Sequence, residues 1–331
     1  QGARARVNSE AGGTGLDTRE TTTAMRPAIL IHGPTASGKT RLAIALARKH
    51  GGEIVNADAM QCYADLNVLT ARPDAEELAS APHHLFGHVD AAARYSVGVW
   101  SKDAAAKIAE LRDAGRLPII VGGTGLYLMA LTEGLSDIPA VSDQHRDKAR
   151  AMVEADQTGA RAMLLEKDPA TADRIEANDR QRTSRALEVL FATGKPLSSF
   201  HGQAAPVLPP GTWAGITLTP PRETLYARIN ARVDAMMRAN ALDEARALWQ
   251  RRLDSALPVM RAHGMPGFCD HFEGRASLAD AVDRCKRDTR RYAKRQMTWI
   301  AHQFTLWPRI PSEDLSVRVR VISDIAAETV G

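Results

Sequence analysis

The octapeptide GPTASGKT at residues 33–40 constrains the fold of this chain more than any other stretch. It fits the phosphate-loop pattern G-x-x-x-x-G-K-[ST], which needs a buried strand before it and a helix after it. Residues 27–31 form a short apolar run, and residues 41–50 have a helical pattern that ends at two glycines. The sequence therefore predicts a strand, a phosphate-binding turn and a helix in succession.

The residue types of this loop suit a diphosphate or triphosphate. Backbone N–H groups of a glycine-rich turn, together with the positive end of a helix dipole, attract phosphate oxygens. Lys39 adds a positive charge, and the hydroxyl of Thr40 suits a Mg²⁺ ion that bridges the phosphates. The pattern alone leaves open a glycine-rich turn with an exposed lysine.

Two later segments are predicted to place side chains beside this loop. Residues 53–58 indicate a strand that ends at Asp58, and residues 116–121 indicate a strand that leads into a second glycine turn with Thr124. Ligands of doubly wound α/β sheets bind at the carboxyl ends of the strands, where both residues would lie. Asp58 could have a chemical role, cap the next helix, or do both.

The chain is predicted to divide into four parts. Residues 1–25 are polar and indicate a disordered tail. Residues 26–141 and 206–331 form an α/β core of the P-loop NTPase type, a parallel sheet flanked by helices, whose second part ends in basic helices. Residues 142–205 show only helical patterns, which predicts an all-helical insertion.

Loops and isolated histidines complete this organisation. Residues 65–90 indicate a loop-rich connection, and residues 260–266 indicate a loop of glycine and proline. His83 and His84 could suggest a metal, but no third ligand is near them in sequence, so ordinary surface histidines are favoured. Residues 278–300 indicate a long helix.

Composition limits the compartment and the partners. The chain has 331 residues, 44% of them hydrophobic, and three cysteines without metal-binding spacing, which favours a reducing cytosol. No apolar run approaches the roughly 20 residues of a spanning helix, so we expect a soluble, cytoplasmic protein without a membrane partner. A monomer is the default expectation.

Charge along the chain suggests an anionic partner. Residues 275–309 contain nine Lys or Arg against three Asp, with Tyr292 and Trp299 among them. Such interleaving suits an RNA backbone and splayed bases, although a solvated basic helix is nearly as common. Arg228 and Arg232 lie four residues apart on another predicted helix, a spacing that suits an anion or a solvated face.

Six stretches, taken in order, give the chain a resemblance to one family. Spread over residues 27–305, they resemble the tRNA dimethylallyltransferases, also called isopentenyl-tRNA or IPP transferases. The stretches are GPTASGKT at 33–40, NADAMQCY at 56–63, TARP at 70–73, VGGTGLY at 121–127, NDRQRTSRALE at 178–188 and AKRQMTW at 293–299.

The resemblance implies transfer of a dimethylallyl group from dimethylallyl diphosphate to the exocyclic amine of the adenosine beside the anticodon. The phosphate loop would then hold a prenyl diphosphate with Mg²⁺, and the partner would be a tRNA anticodon stem-loop. By the same resemblance, Asp58 matches the general base, and Thr124 matches a hydroxyl near base and diphosphate. We expect donor and adenine to meet in a channel shared by Lys39 and Asp58.

The resemblance also implies binding residues. The matched diphosphate-binding residues are Gly33, Thr35, Ala36, Ser37, Gly38, Lys39, Thr40, Arg228 and Arg232. The matched tRNA-contacting residues are Asp58, Ala59, Met60, Gln61, Arg146, Gln181, Arg182, Thr183, Ser184, Arg185, Arg261, Ala262, His263 and Gly264. The chain departs from the family at Ala59, where a serine is common, and at Met265, Pro266 and Gly267, which replace a more polar continuation.

Two other functions share some of these features. A small-molecule kinase of the shikimate-kinase type also has a phosphate loop and an aspartate after the second strand, but it requires ATP. An RNA-binding regulator with a degenerate loop is the third alternative, which the presence of Lys39, Thr40 and Asp58 disfavours.

Overall fold

The computed structural model describes residues 26–202 and 205–329, so the disordered tail predicted for residues 1–25 lies outside the described residues. The strands are β1 (Ala28–His32), β2 (Gly52–Asn56), β3 (His83–His84), β4 (Leu117–Gly122), β5 (Trp213–Leu218) and β6 (Arg309–Ile310). They form one sheet in the order β3-β2-β4-β1-β5-β6, and all neighbours are parallel. The predicted α/β fold class is confirmed.

Helices alternate with the first four strands. They are α1 (Lys39–His50), α2 (Ala75–Ser80), α3 (Val97–Asp113) and α4 (Gly125–Thr132). Asp74 and Ser96 cap α2 and α3 by accepting backbone N–H groups of their first turns. In contrast, α1 and α4 begin without a side-chain cap. These two helices follow the phosphate loop (residues 33–40) and the second glycine turn (residues 122–125).

Four helices follow as a cluster with its own core. They are α5 (Asp143–Ala155), α6 (Gln157–Lys167), α7 (Pro169–Ala172) and α8 (Arg180–Thr193). Each begins at a residue whose side chain accepts a backbone N–H group, namely Ser142, Asp156, Asp168 and Asp179. Their apolar faces meet around buried Ala149, Val153, Leu164 and Leu187. The exact limits predicted for the insertion, residues 142 and 205, stay a prediction.

The remaining helices return to the sheet and cover both of its faces. They are α9 (Arg222–Arg238), α10 (Ala241–Gln250), α11 (Met265–Phe272), α12 (Leu278–Gln303) and α13 (Leu315–Glu328). Leu30 and Val55 face a core that includes α3, α4 and α12. Ile29 and Ile54 face the opposite core, built with α1 and α13. Because successive strand residues enter opposite cores, the strands appear in sequence as continuous apolar runs.

The register of the sheet places the functional segments at one edge. His32 pairs with Gly122, and Asn56 pairs with Val121. The carboxyl ends of β1, β2 and β4 therefore lie level with one another. Beyond these ends the chain continues into the phosphate loop, toward Asp58 and into the second glycine turn, which is the edge where α/β sheets bind ligands.

The structure differs from the sequence prediction in several connections. Residues 65–90 are not a simple loop, because they contain α2 and the two-residue strand β3, which pairs with β2. The next helix, which Asp58 was considered to cap, is only a 3-10 turn at Met60–Cys62. The predicted loop 260–266 contains the end of a 3-10 turn at Pro258–Arg261 and the start of α11. Strand β6 was not predicted.

Across the described ranges 26–202 and 205–329, no helix combines the length and the apolar character needed to cross a membrane.

Candidate active site

The phosphate loop leaves the helix N-terminus of α1 open. Ala36 and Gly38 have φ of 63° and 88°, so two residues of the loop lie in the left-handed region. Gly38 is the residue before α1, and no side chain caps this end. The first N–H groups of a helix have no partner within the helix, so an uncapped end is available for an anion.

Lys39 lies at the floor of the site, where its charge is poorly solvated. Its Nζ donates to the carbonyl oxygen of Pro34 at 2.7 Å. Burial lowers the pKa of Lys39 to about 7, with Arg232 acting in the same direction and Asp58 opposing both. An ammonium with a lowered pKa gains its proton when an anion binds beside it, which suits a diphosphate site.

Asp58 is held rigidly just beyond β2. Its backbone N–H donates to Oδ1 of the buried Asn56 at 2.8 Å, and Nδ2 of Asn56 donates back to the Asp58 carbonyl at 3.0 Å. The carboxylate accepts the N–H of Met60 at 3.1 Å. Burial raises the pKa of the Asp58 carboxyl, with Lys39 opposing the rise. A carboxylate with a raised pKa is a stronger proton acceptor.

The second glycine turn places Thr124 against the Asp58 segment. The Thr124 hydroxyl oxygen accepts the N–H of Ala59 at 3.0 Å, and the Thr124 N–H donates to the Ala57 carbonyl at 3.2 Å. A Cβ on Gly123 would lie 3.4 Å from Oδ2 of Asp58. Asp58 and Thr124 are therefore neighbours, as the position of their strands predicts.

The phosphate loop and the pair Asp58 and Thr124 open onto one cavity of about 630 Å³. The cavity joins Lys39 and Arg232 to Asp58, so the passage expected between the phosphate loop and the carboxylate is present. The predicted residues that line it are Thr35, Ala36, Gly38, Lys39, Thr40, Asp58, Ala59, Met60, Gln61, Thr124, Arg232, Arg261, Ala262 and His263. The arrangement can hold an anion and a proton acceptor at opposite parts of a single space.

Other predicted site residues lie outside this cavity lining. Gly33 and Ser37 are buried within the phosphate loop, and Gly264 is buried behind His263 with φ of 99°. Arg228 is half exposed, and its Nη2 donates to Oε2 of Glu313 at 2.9 Å. The guanidinium of Arg228 is paired with Glu313 and does not line the cavity, and the diphosphate contact of Arg228 stays a prediction.

The residues of the helical cluster that are predicted to contact tRNA differ in their exposure to solvent. Gln181 and Arg182 are exposed on α8, whereas Ser184 and Arg185 are half-buried. Arg146 on α5 lines a separate cavity of about 550 Å³. Thr183 is fully buried in the core of the cluster. Its side chain is therefore not available at the surface, and the tRNA contact of Thr183 stays a prediction.

Gln296 on α12 is a site residue that sequence reasoning missed. Its buried side-chain oxygen accepts the N–H of Thr35 at 2.9 Å, and its Nε2 donates to the Gly123 carbonyl at 2.8 Å. One amide thus joins the phosphate loop to the second glycine turn. The only signal in the sequence was a neutral polar residue among the basic residues of the stretch at 293–299.

Aromatic rings cover another part of the cavity wall. The rings of His263 and Tyr292 are 4.6 Å apart, and both residues line the cavity together with Arg295. Burial, together with the nearby charge of Arg295, lowers the pKa of His263 to about 4. The imidazole is therefore neutral near pH 7. Neighbouring neutral rings beside an arginine form a surface that suits a flat base.

The donor set for a metal ion is small. Over the part of the chain that is described, no three His, Cys, Asp or Glu side chains converge as a metal-binding group. Mg²⁺ commonly binds through one or two protein oxygens together with substrate phosphates and water. The hydroxyl of Thr40, beside Lys39 in the cavity lining, fits that kind of site.

Comparison with family models supports a relationship over most of the chain. The model described as IPP transferase matches residues 61–303, and the one described as isopentenyl transferase matches residues 27–86. Together they cover the phosphate loop, Asp58, Thr124 and Gln296.

Individual proteins show the same similarity. The tRNA dimethylallyltransferase of Hyphomonas neptunium is 53% identical over 300 residues, which are 90% of this chain and 95% of that protein. The tRNA dimethylallyltransferase of Maricaulis maris is 49% identical and covers 93% of this chain and 100% of its own.

Solved structures show the same fold. The full-length tRNA isopentenylpyrophosphate transferase of Bacillus halodurans matches with a TM-score of 0.65 and 33% identity, over 92% of this chain and 97% of its own. A eukaryotic dimethylallyltransferase acting on tRNA matches with a TM-score of 0.70 and 30% identity, over 83% of this chain and 70% of its own. The chain therefore belongs to the tRNA dimethylallyltransferase, or IPP transferase, family.

Proposed function

We propose that this protein transfers the dimethylallyl group of dimethylallyl diphosphate to the exocyclic N6 amine of the adenosine beside the anticodon of tRNA. The products are N6-isopentenyladenosine and diphosphate. One observation carries the proposal: Lys39 of the phosphate loop and the half-buried carboxylate of Asp58 open onto one cavity. Family membership supports tRNA and a dimethylallyl donor as substrates, because the relatives are named tRNA dimethylallyltransferases.

The phosphate loop binds the diphosphate of the donor. Its backbone N–H groups, the ammonium of Lys39 and the guanidinium of Arg232 surround the same part of the cavity. These groups stabilise the negative charge that grows on the leaving group as the allylic carbon–oxygen bond breaks. The dimethylallyl group lies against apolar wall residues, among which Ile229 and Val233 line the cavity.

Asp58 accepts the proton of the nucleophile. The electron pair of the breaking carbon–oxygen bond leaves with diphosphate, and a new bond forms between the allylic carbon and N6 of adenine. The proton lost from N6 passes to the Asp58 carboxylate, whose pKa is raised by burial. Thr124 lies beside this carboxylate and orients the amine through its hydroxyl group.

The adenine reaches Asp58 only when it is extruded from the anticodon loop. Stacked bases do not expose their exocyclic amines to an active site, so enzymes that react with bases draw them into a pocket. The neighbouring rings of His263 and Tyr292 form the wall on which the extruded base stacks. Exposed Arg261 and Arg295 at the cavity rim contact the phosphates of the loop.

The helical cluster α5–α8 contacts the rest of the anticodon stem-loop. Gln181 and Arg182 are exposed at the start of α8, and Arg146 opens onto its own cavity at the foot of α5. A single chain supplies both pockets, so we propose that it acts as a monomer. A tRNA substrate also implies action in the cytoplasm.

Mg²⁺ is the proposed cofactor, and the hydroxyl of Thr40, which lines the cavity, would hold it beside the diphosphate. When bound, the ion neutralises part of the charge on the leaving diphosphate. The positive charges of Lys39 and Arg232 neutralise the remaining negative charge of the diphosphate.

One incubation tests the proposal. The protein is mixed with tRNA, labelled dimethylallyl diphosphate and Mg²⁺ without ATP, and the digested nucleosides are analysed by mass spectrometry. We expect label in N6-isopentenyladenosine, and no label in a matched tRNA whose adenosine beside the anticodon is replaced by guanosine. Absence of RNA product together with ATP-dependent phosphorylation of a small molecule would replace the proposal with the kinase.

A further inference from the structure

The phosphate loop is supported from behind by Arg318, on the first turn of α13. The side chain is buried, with 4% of its surface exposed. Its Nη1 donates to the Ser37 carbonyl at 2.9 Å, and its Nε donates to the Ser312 carbonyl at 2.6 Å. The guanidinium therefore bridges the phosphate loop and the segment that leads into α13.

The bond to Ser37 fixes the orientation of a peptide group in the loop. The Ser37 carbonyl and the Gly38 N–H belong to one planar trans peptide, so they point to opposite sides. Because Arg318 holds the carbonyl on the outer side, the N–H of Gly38 is directed away from Arg318. Gly38 lines the cavity, so we infer that this N–H is available to a diphosphate bound there.

The absence of a side chain at Gly38 permits this approach. A Cβ at that position would lie 2.9 Å from Nη1 of Arg318. A glycine at position 38 thus allows both the left-handed conformation, with φ of 88°, and the close approach of the guanidinium.

Arg318 also brings a charge that, within residues 26–202 and 205–329, no carboxylate at hydrogen-bond distance neutralises. Among the described residues, its Nη2 is buried without a hydrogen-bond partner, and its two other bonds are to backbone carbonyls. An arginine remains charged at neutral pH, and a buried charge is only weakly screened. Its field therefore adds to the positive potential of the α1 N-terminus.

We propose that Arg318 is a positioning residue for the diphosphate, which acts through the Ser37–Gly38 peptide and through its own buried charge. The inference rests on the proposed function for the identity of the diphosphate. It assigns the C-terminal helix α13 a part in donor binding, although α13 lies outside the stretches that carry the family resemblance.

A purely structural role predicts different behaviour. If Arg318 only anchored α13, its loss would lower stability and affect both substrates alike. If Arg318 orients the loop, its loss weakens donor binding and leaves tRNA binding unchanged. The two roles are separated by measuring the two substrates independently.

The experiment compares Arg318→Met and Arg318→Lys with Arg320→Met. Arg320 is exposed two residues further along α13 and serves as the matched control. For each protein, KM is measured for dimethylallyl diphosphate and for tRNA, and inorganic pyrophosphate with Mg²⁺ is titrated by calorimetry. Thermal unfolding without ligand reports on α13.

We expect Arg318→Met to raise the donor KM and the pyrophosphate Kd about tenfold, the size of one lost charge-assisted hydrogen bond. The KM for tRNA stays unchanged, and Arg320→Met behaves as the wild type. Arg318→Lys keeps the charge but not the two-point contact, so its donor KM is intermediate. If Arg318→Met does not fold, the lysine variant carries the test.

A donor KM and a pyrophosphate Kd at wild-type values in the tested variant would overturn the inference, as would equal losses for donor and tRNA. Failure of the wild type to modify tRNA would overturn the proposed function instead. In that case the pyrophosphate titration still reports on Arg318.

Discussion

The phosphate loop and the second glycine turn look alike in sequence, because each follows a buried strand, contains glycines and opens an uncapped helix. Their glycines meet different physical needs. Gly38 has φ of 88°, a conformation that side chains disfavour. Gly122 has no such φ, but a Cβ there would lie 2.0 Å from the carbonyl oxygen of Ala57.

The difference explains what each turn does. The phosphate loop curls so that backbone N–H groups face an open cavity, and it can bind an anion. The second glycine turn is packed closely against its neighbours: Cβ atoms on Gly123 and Gly125 would meet Gln296 and Trp299 at 2.3 and 2.1 Å. Its glycines allow this close packing, and the turn holds Thr124 beside Asp58. Glycine content alone does not distinguish a binding turn from a positioning turn.

The largest expected effect concerns the carboxylate held against the second turn. Asp58→Asn keeps the shape but loses the proton acceptor, so turnover should fall about 1,000-fold, within the usual range for a general base. Pyrophosphate affinity should be retained at pH 6, where Lys39 stays charged although the carboxylate that raises its pKa is lost. Single-turnover kinetics and calorimetry measure the two quantities, with the exposed Asp283→Asn as the control. Unchanged turnover would remove Asp58 from the base role.

The two kinds of glycine should respond differently to alanine. Gly122→Ala forces a Cβ into the Ala57 backbone and should lower the free energy of unfolding by about 3 kcal/mol. In Gly38→Ala the alanine must adopt the left-handed conformation, which should lower the free energy of unfolding by about 1–2 kcal/mol. This variant should weaken pyrophosphate binding more than Gly122→Ala does. Urea denaturation and calorimetry measure these changes. Equal effects of both variants on both measurements would contradict the distinction.

The charge state of Lys39 makes donor binding sensitive to pH. In the free protein its pKa is about 7, and a bound diphosphate must raise that pKa because it stabilises the ammonium. The affinity is therefore full below pH 7, and it falls above that value by up to about tenfold per pH unit. Titration of wild type and Lys39→Arg between pH 6 and 9 isolates Lys39, because arginine does not titrate in this range. Parallel pH profiles would contradict the assignment.

The smallest expected effect separates two arginines one turn apart on α9. Arg232 lines the cavity, whereas the half-exposed Arg228 pairs with Glu313. Arg228→Ala should change the donor KM by less than about threefold, in line with the modest value of exposed ion pairs. Arg232→Ala should change it by at least about tenfold. Steady-state kinetics with varied donor tests the order, and a reversed order would show that the paired arginine reaches the substrate.

The sequence predicted the parts of the site that depend on local pattern. A strand, glycines and a helix define the phosphate loop, and the carboxyl end of a parallel strand places Asp58 near it. The two-residue strand β3 was missed because so short a segment shows no periodicity. The burial of Thr183 was available in principle, since it shares a helix face with Ala186, Leu187 and Leu190 at spacings of three, four and seven.

Contacts between distant segments could not be predicted from pattern. Gln296 meets Thr35, and Arg318 meets Ser37, across separations of 261 and 281 residues. Their partners are backbone groups, which every residue type has, so the sequence does not show which residue will be the partner. Such residues become visible only when the fold brings the segments together.

The bridge made by Gln296 has a consequence for how the reaction is organised. Since one buried amide ties together the two turns, the distance between leaving group and proton acceptor is set before either substrate arrives. Two solutes that must find a mutual orientation in water lose freedom of motion at the moment of reaction. Here that ordering takes place during folding, so the encounter of an isoprenoid with a nucleobase becomes, in kinetic terms, a reaction within one molecule.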